Sequence, residues 1–302
     1  MGAKDSNATV GSVAKLQCEE CLEDGVKYVK SITEALKEKK NKVYHVGNMY
    51  VVTIFKKTKM IPFFRTKEEA FSKTIVDKAK KNEFAVVTNG NWYHTNNWLA
   101  KASYYKGTAV ISASDIGQEG QSILNGKVIG GEASPDSYFL KEKNGVYSTG
   151  GYGKVTHSDD GIGGLMPIII NGLPYDSENE YAKGASEDAK ITGSPKSKNR
   201  KFLLKRSSAK YKAMENLNVR TGKTIWGYSS SQDCLIILVT PNGSQQMNYD
   251  SIRDELIKNS FDHAVGLDGS TSSLLYVNGR FLVRANERKD NSNTMGVGIK
   301  CL

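Results

Sequence analysis

The sequence contains no apolar run approaching the roughly 20 residues that a bilayer-spanning helix needs. Its first residues, Met1-Gly2-Ala3-Lys4-Asp5-Ser6, hold no hydrophobic signal core. No bilayer-spanning helix is expected, and the chain is read as cytoplasmic or as one whose signal has been removed. Cysteine is scarce: Cys18, Cys21, Cys234 and Cys301 are the four in 302 residues. Cys18 and Cys21 form a lone Cys-x-x-Cys with no second pair or fitting histidines, which excludes a standard structural zinc module. Neither is there a neighbouring βαβ pattern for a thioredoxin role, so both read as reduced thiols. Cys234 opens an apolar run and reads as core. No internal repeat and no interdomain linker are visible. The glycine-rich segments lead toward strands and not into a helix, which rules out a Walker-type phosphate loop. No acidic spacing matches a calcium loop.

Hydrophobic residues make up 38% and charged residues 25%, the balance of a globular domain and not of a disordered one. The net charge of +10 favours an anionic ligand or surface without naming it. From Lys196 to Lys212 the chain carries eight basic residues and no acidic one. That stretch is either a solvated loop or a patch that steers phosphate. No recognition helix or stacking platform accompanies it, so nucleic acid is not favoured as a partner. Met1-Gly2 with Ser6 matches a short myristoylation pattern.

Periodicity predicts a mixed α/β (α+β) fold: a mixed β-sheet with packed helices and inserted loops. Val26, Val29, Ile32 and Leu36 recur at helical spacing, predicting a helix over about 25–39 and an N-terminal helical extension over 1–42. Val43–Val46 and Met49–Phe55 read as strands around a Gly47-Asn48 turn. Thr66-Lys67-Glu68-Glu69 has capping-box spacing ahead of a helix ending near Lys81. Phe84–Thr88 is the next strand. Short β-like runs follow at Thr108–Ser112, Lys127–Ile129 and Ser137–Leu140. Gly150-Gly151-Tyr152-Gly153 and Gly161-Ile162-Gly163-Gly164 bracket a polar loop with His157, Asp159 and Asp160, read as a lid or an exposed loop. Residues 176–212 read as a basic insertion. Cys234–Val239 is an apolar strand, Ser251–Asn259 a helix and Ala264–Leu267 a strand. Leu274–Val277 and Arg280–Val283 form a hairpin around Asn278-Gly279.

Three segments carry chemistry. The strand at Phe84–Thr88 ends in Asn89-Gly90-Asn91-Trp92-Tyr93-His94. Asn218-Val219-Arg220-Thr221-Gly222-Lys223 sets an arginine before a β-rich run. Val265-Gly266-Leu267-Asp268-Gly269-Ser270-Thr271-Ser272-Ser273 presents a carboxylate, a flexible glycine and hydroxyls at one corner. In order and rough spacing the three together resemble the phosphodiester glycosidase family, to which the N-acetylglucosamine-1-phosphodiester α-N-acetylglucosaminidases belong. The resemblance covers about residue 43 to the C-terminus, the expected phosphodiester glycosidase-like domain. That family usually has a second glycine where this chain has Asn91, a Phe pair at Trp92-Tyr93, and two further glycines at Ser270-Thr271. The added side chains narrow the space for a ligand.

The resemblance implies a hydrolase that cleaves the glycosidic bond of a sugar-1-phosphodiester or nucleotide-sugar-like substrate. Arg220 offers a bidentate fork to phosphate, and Asp268 a carboxylate for the cation developing at the anomeric carbon. His94 is a candidate proton donor. Asn89, Gly90, Trp92, Thr221, Gly269, Ser270, Thr271 and Ser272 are the candidate substrate-binding residues. No cofactor is required, although Asp159, Asp160 and Asp268 offer oxygens that a calcium or magnesium ion could use. The expected partner is a small anionic sugar phosphate or nucleotide-like molecule. The alternatives are a non-catalytic protein that sequesters such a ligand, and a polyanion binder working through Lys196–Lys212.

Overall fold

The computed structural model describes residues 21–95, 110–118, 120–131, 138–151, 159–174, 221–243 and 247–302. The expected basic insertion, Arg220, His157 and Cys18 fall outside that set.

The chain opens with β1 (Val26–Val29), α1 (Ile32–Lys37), β2 (Lys42–Val46), β3 (Met49–Ile54), β4 (Thr58–Phe64), α2 (Phe71–Asn82) and β5 (Val86–Asn89). Shorter strands follow: β6 (Tyr93–Thr95), β7 (Ile116–Gln118), β8 (Ser122–Leu124), β9 (Lys127–Gly130), β10 (Tyr138–Lys143) and β11 (Val146–Gly151). Then come β12 (Asp160–Ile170), β13 (Leu173–Pro174), β14 (Lys223–Ser229), β15 (Cys234–Thr240), α3 (Tyr249–Lys258) and β16 (His263–Gly266). The last elements are β17 (Leu275–Val277), β18 (Arg280–Val283), α4 (Glu287–Ser292) and β19 (Met295–Cys301).

The larger sheet runs β1-β2-β3-β15-β14-β16-β12-β10-β11, with β8, β9 and β13 off that path. The smaller runs β18-β17-β5-β19-β4. The first pairing, β1 with β2, is parallel, and the remaining ladders of both sheets are antiparallel. The fold is therefore the expected α+β type.

Side-chain alternation explains how the sheets stack. In β15, Leu235, Ile237 and Val239 join a core that also holds Val86, Leu275, Val297 and Ile299 of the smaller sheet. Cys234, Ile236 and Leu238 face the other way, onto Ile32, Ala35 and Leu36 of α1 and Ile252 and Leu256 of α3. Successive residues of a strand point to opposite faces, so a strand with both faces buried must be apolar throughout. That is why Cys-Leu-Ile-Ile-Leu-Val reads as a continuous run. Behind the smaller sheet, Phe71, Ile75 and Ala79 of α2 pack on Phe63, Phe84, Val87 and Tyr276. The result is a helix–sheet–sheet–helix sandwich.

Several local expectations change. Val26 and Val29 belong to β1 and not to a helix, because the backbone pairs with Val43–Val46. Helix α1 starts only at Ile32, where the Ser31 side chain accepts the Glu34 N–H. Thr66 does not cap α2, whose N-cap is Ala70 without a side-chain bond. Residues 110–112 are not strand. Asp160, expected in the polar loop, begins the buried strand β12, and the flanking Gly161-Ile162-Gly163-Gly164 lies inside it. Where another segment crosses β12, glycine is required at position 120: a Cβ there would lie 2.0 Å from the Gly164 nitrogen. Among the described residues no helix is long and apolar enough to cross a membrane.

Cys21 is not a reduced thiol. It is disulfide-bonded to Cys301 in β19, across a sequence separation of 280. Such bonds persist chiefly in oxidising compartments, which weighs against the cytoplasmic expectation. Because the closed loop is long, the bond restricts the unfolded chain strongly. The Cys301→Ser protein should lose about 2–4 kcal/mol of unfolding free energy in urea. An unchanged urea midpoint would mean that the pairing contributes nothing.

Candidate functional site

Two strand ends, of β5 and β16, and two strand starts, of β14 and β17, converge on Asn89. The residue closes β5 and is 1% exposed. Its Oδ1 accepts hydrogen bonds from the Thr224 hydroxyl in β14 (2.8 Å) and from the Leu274 N–H (3.1 Å). Its Nδ2 donates to the carbonyl of Asp268 at 2.6 Å. The Asp268 N–H donates to the Gly90 carbonyl at 3.1 Å, and the Gly90 N–H to the Met295 carbonyl at 2.9 Å. Leu267 is tied to β14 by its N–H on the Thr224 carbonyl (2.8 Å). Asn89 is thus a brace with its polar atoms spent on protein.

Beyond Asp268 the chain makes a tight 3-10 turn over Ser270–Ser272. Ser270 donates its N–H to the Gly222 carbonyl at 2.7 Å, and a Cβ on Gly222 would lie 2.2 Å from the Ser270 carbonyl oxygen. Only glycine fits that approach. Ser270 has φ +57°, a left-handed backbone that costs an ordinary residue about 1–2 kcal/mol. Glycine at this position, usual in the resembled family, would carry no such cost. Asp268, Gly269 and Thr271 are half-buried and Ser270 is exposed. Ser272 and Ser273 point inward, and their buried hydroxyls have no hydrogen-bond partner among the described residues.

Charge sits under the corner. Lys223 is 0% exposed; its Nζ donates to the Thr221 carbonyl at 2.8 Å and lies 5.3 Å from the Tyr249 ring centre. Burial lowers this ammonium to about 8. Burial, and secondarily the charge of Asp268, raises the Tyr249 phenol. The Tyr249 hydroxyl lies beneath Gly269, 3.3 Å from where a Cβ would sit.

A second polar group adjoins Gly90. Asn91 Nδ2 donates to the Gly120 carbonyl at 3.1 Å, leaving Asn91 Oδ1 buried without a partner. The Gln118 amide bonds the Thr294 hydroxyl, leaving its oxygen without one. Both polar amide atoms of Asn293 are likewise buried and, among the described residues, without a partner. A buried, unpaired polar group typically costs roughly 1–3 kcal/mol, so a cluster of them needs a reason.

The other expected residues fall as follows. Trp92 is half-buried and packs against the core around Met166 and Tyr249. His94 lies in β6 with its backbone opposite Gly117. Thr221 is half-buried with its carbonyl engaged by Lys223. Asp159 pairs with Lys141 and Lys143, and Asp160 with Lys59. Asp160 stands six residues along β12 from Met166, the partner of Gly266, so roughly 20 Å of strand separates it from the β16 end. Among the described residues no three His, Cys, Asp or Glu side chains gather as metal ligands.

Sequence reasoning missed Lys223, Tyr249, Gln118 and Asn293. A lysine entering an otherwise apolar β run was the one available signal, for Lys223. Gln118, at the end of β7, and Asn293, at the C-cap of α4, carry none.

Two outcomes follow from the geometry. Asn89→Ala should cost about 2–4 kcal/mol in urea unfolding, because the Leu274 N–H and the Asp268 carbonyl both lose a partner. The folded value of Lys223, about 8, lies below the ~10.4 of an exposed lysine. Between those values the unfolded chain binds more protons, so stability rises with pH across that window. Lys223→Met should exceed wild type by about 2 kcal/mol at pH 7, with the gap closing between about pH 8 and 10. A gap independent of pH would show that ammonium burial is not its source.

No protein-family model and no curated protein sequence matches the chain. Among solved structures it is similar to the zebrafish N-acetylglucosamine-1-phosphodiester alpha-N-acetylglucosaminidase catalytic domain auto-inhibited by pro-peptide, at 15% identity and TM-score 0.49, over 83% of this chain and 76% of that one. It is also similar to a hypothetical protein from Synechocystis, at 12% identity and TM-score 0.38, over 84% of this chain and 59% of that one.

Proposed function

We propose that the corner at Asp268 is the catalytic centre of a hydrolase that cleaves the glycosidic bond of a sugar-1-phosphodiester or nucleotide-sugar-like substrate. The observation that carries this reading is the setting of Asp268. Its carbonyl and N–H are fixed by Asn89 and Gly90, which holds the residue at a rim of hydroxyls above a buried ammonium. A backbone fixed at both its N–H and its carbonyl limits how far the side chain it carries must rearrange when charge develops beside it.

In the proposed step the bond from the anomeric carbon to the phosphate oxygen breaks, and its electron pair leaves with the phosphate. The sugar ring becomes oxocarbenium-like, and Asp268 stabilises it or takes the proton of the attacking water. Water supplies the new oxygen at the anomeric carbon, so the products are free sugar and a phosphomonoester. The leaving phosphate is a stable anion and needs little protonation, which suits a site with one carboxylate. Arg220 and Thr221 precede Gly222, whose carbonyl is bonded to the corner, so that segment is suited to hold the phosphate. His94 is retained as a proton donor for substrates with poorer leaving groups. The scheme requires no divalent cation.

Purified protein should be incubated, with and without EDTA, with UDP-N-acetylglucosamine, an N-acetylglucosamine-1-phosphate ester and cyclic ADP-ribose-type nucleotides, and the products weighed by mass spectrometry. Gain of one water by a substrate, reduced at least about a hundredfold in Asp268→Ala, is the expected outcome. Turnover that survives Asp268→Ala, or a ligand retained chemically unchanged, would overturn the reading.

A further inference from the structure

Asn91, Gln118 and Asn293 come from three separate segments that meet within a few residues of Gly90. Asn91 follows it directly. Gln118 lies in β7, where its backbone pairs with Tyr93 of β6. Asn293 precedes Thr294, whose hydroxyl bonds Gln118, and Met295, whose carbonyl takes the Gly90 N–H. The three are 2%, 7% and 3% exposed. Each keeps at least one buried polar atom without a partner among the described residues. Folded chains rarely leave such atoms unpaired unless a ligand or ordered water completes them.

The chemistry of the unpaired atoms selects the ligand. The Gly120 carbonyl can only accept, so Asn91 must turn its nitrogen to it and its oxygen inward. An inward amide oxygen repels a phosphate oxygen and welcomes a donor. Asn293 offers both a donor and an acceptor. Uncharged groups of mixed sense suit hydroxyls, which donate and accept. We infer that Asn91, Gln118 and Asn293 form the part of the site that binds the hydroxyl-bearing sugar ring, while the phosphate lies on the Thr221–Ser270 side of Asp268. This rests on the reading of Asp268 as the hydrolytic centre. It also gives the side chain of Asn91 a role, where the resembled family has glycine: a specificity of this chain's own.

The test uses the full chain and isothermal titration with free N-acetylglucosamine, glucose and ribose, and separately with inorganic phosphate. At least one sugar should bind. Asn91→Gly and Gln118→Met should each raise its Kd about tenfold while leaving the Kd for phosphate within about twofold. Ligand-free Gln118→Met loses the amide's bond to the Thr294 hydroxyl, so its melting temperature should fall by a few degrees at most, too little to account for a tenfold change in sugar affinity. Absence of binding by every sugar, equal sugar affinity in the variants, or a parallel loss of phosphate affinity would overturn the inference. Sugar binding that depends on the amides in a protein without turnover would sink the hydrolase reading and keep this one. Turnover that depends on Asp268, with sugar affinity indifferent to the amides, would do the reverse.

Discussion

The side chain of Asn89 is the interaction on which the site depends. It lies at the end of the central strand of the smaller sheet and reaches across to β14 of the larger one. One amide therefore fixes the spacing of the two sheets and the start and end of the Asp268 corner together. An amide suits this position because it carries donors and an acceptor on a short stem. A carboxylate there would set a charge against the Asp268 carbonyl, and a hydroxyl could not span the same partners.

Around that brace the structure concentrates groups that lower stability. Ser270 is left-handed, Lys223 is a buried ammonium, and the hydroxyls of Ser272 and Ser273 are unpaired. Away from the corner, buried polar atoms mostly find partners, as His263 does with Thr149 and Glu142 with the Gly145 N–H. A left-handed residue, a buried ammonium and unpaired hydroxyls gathered at one corner suit a site preorganised for a ligand. The sandwich supplies the rigidity that holds them. β14, β15 and β16 are buried on both faces, so the residues at their ends have little freedom to relax.

Cys21 and Cys301 meet at the far side of the same frame. Cys301 ends β19, whose start carries Thr294 and Met295 at the site, and Cys21 precedes β1 on the edge of the larger sheet. The disulfide thus joins the outer strand of one sheet system to the strand that supports Gly90. β1 and α1 are built into the sheet through β2, which is why the apolar spacing of Val26 to Leu36 serves a strand and a helix in turn.

Local pattern determined much of this protein. The two-residue turns at Gly47-Asn48 and Asn278-Gly279, the apolar run Cys234–Val239, the stripe of Phe71, Ile75 and Ala79, and the Asp-Gly corner at Asp268 are all set by neighbouring residues. Their spacing in sequence equals their spacing on one strand, helix or turn. Tertiary structure alone decided the rest. Cys21 found Cys301 and not Cys18, and Gly161–Gly164 became strand because β8 and β10 pair alongside it. Asn89 became a brace because Thr224 and Leu274 arrive beside it, and Lys223 was buried by Tyr249. Gln118 and Asn293 joined Asn91 only because β5, β7 and β19 end at one place. The physical reason is common to all of these: the partner lies on a different strand, and chain spacing holds no record of which strand ends the sandwich brings together.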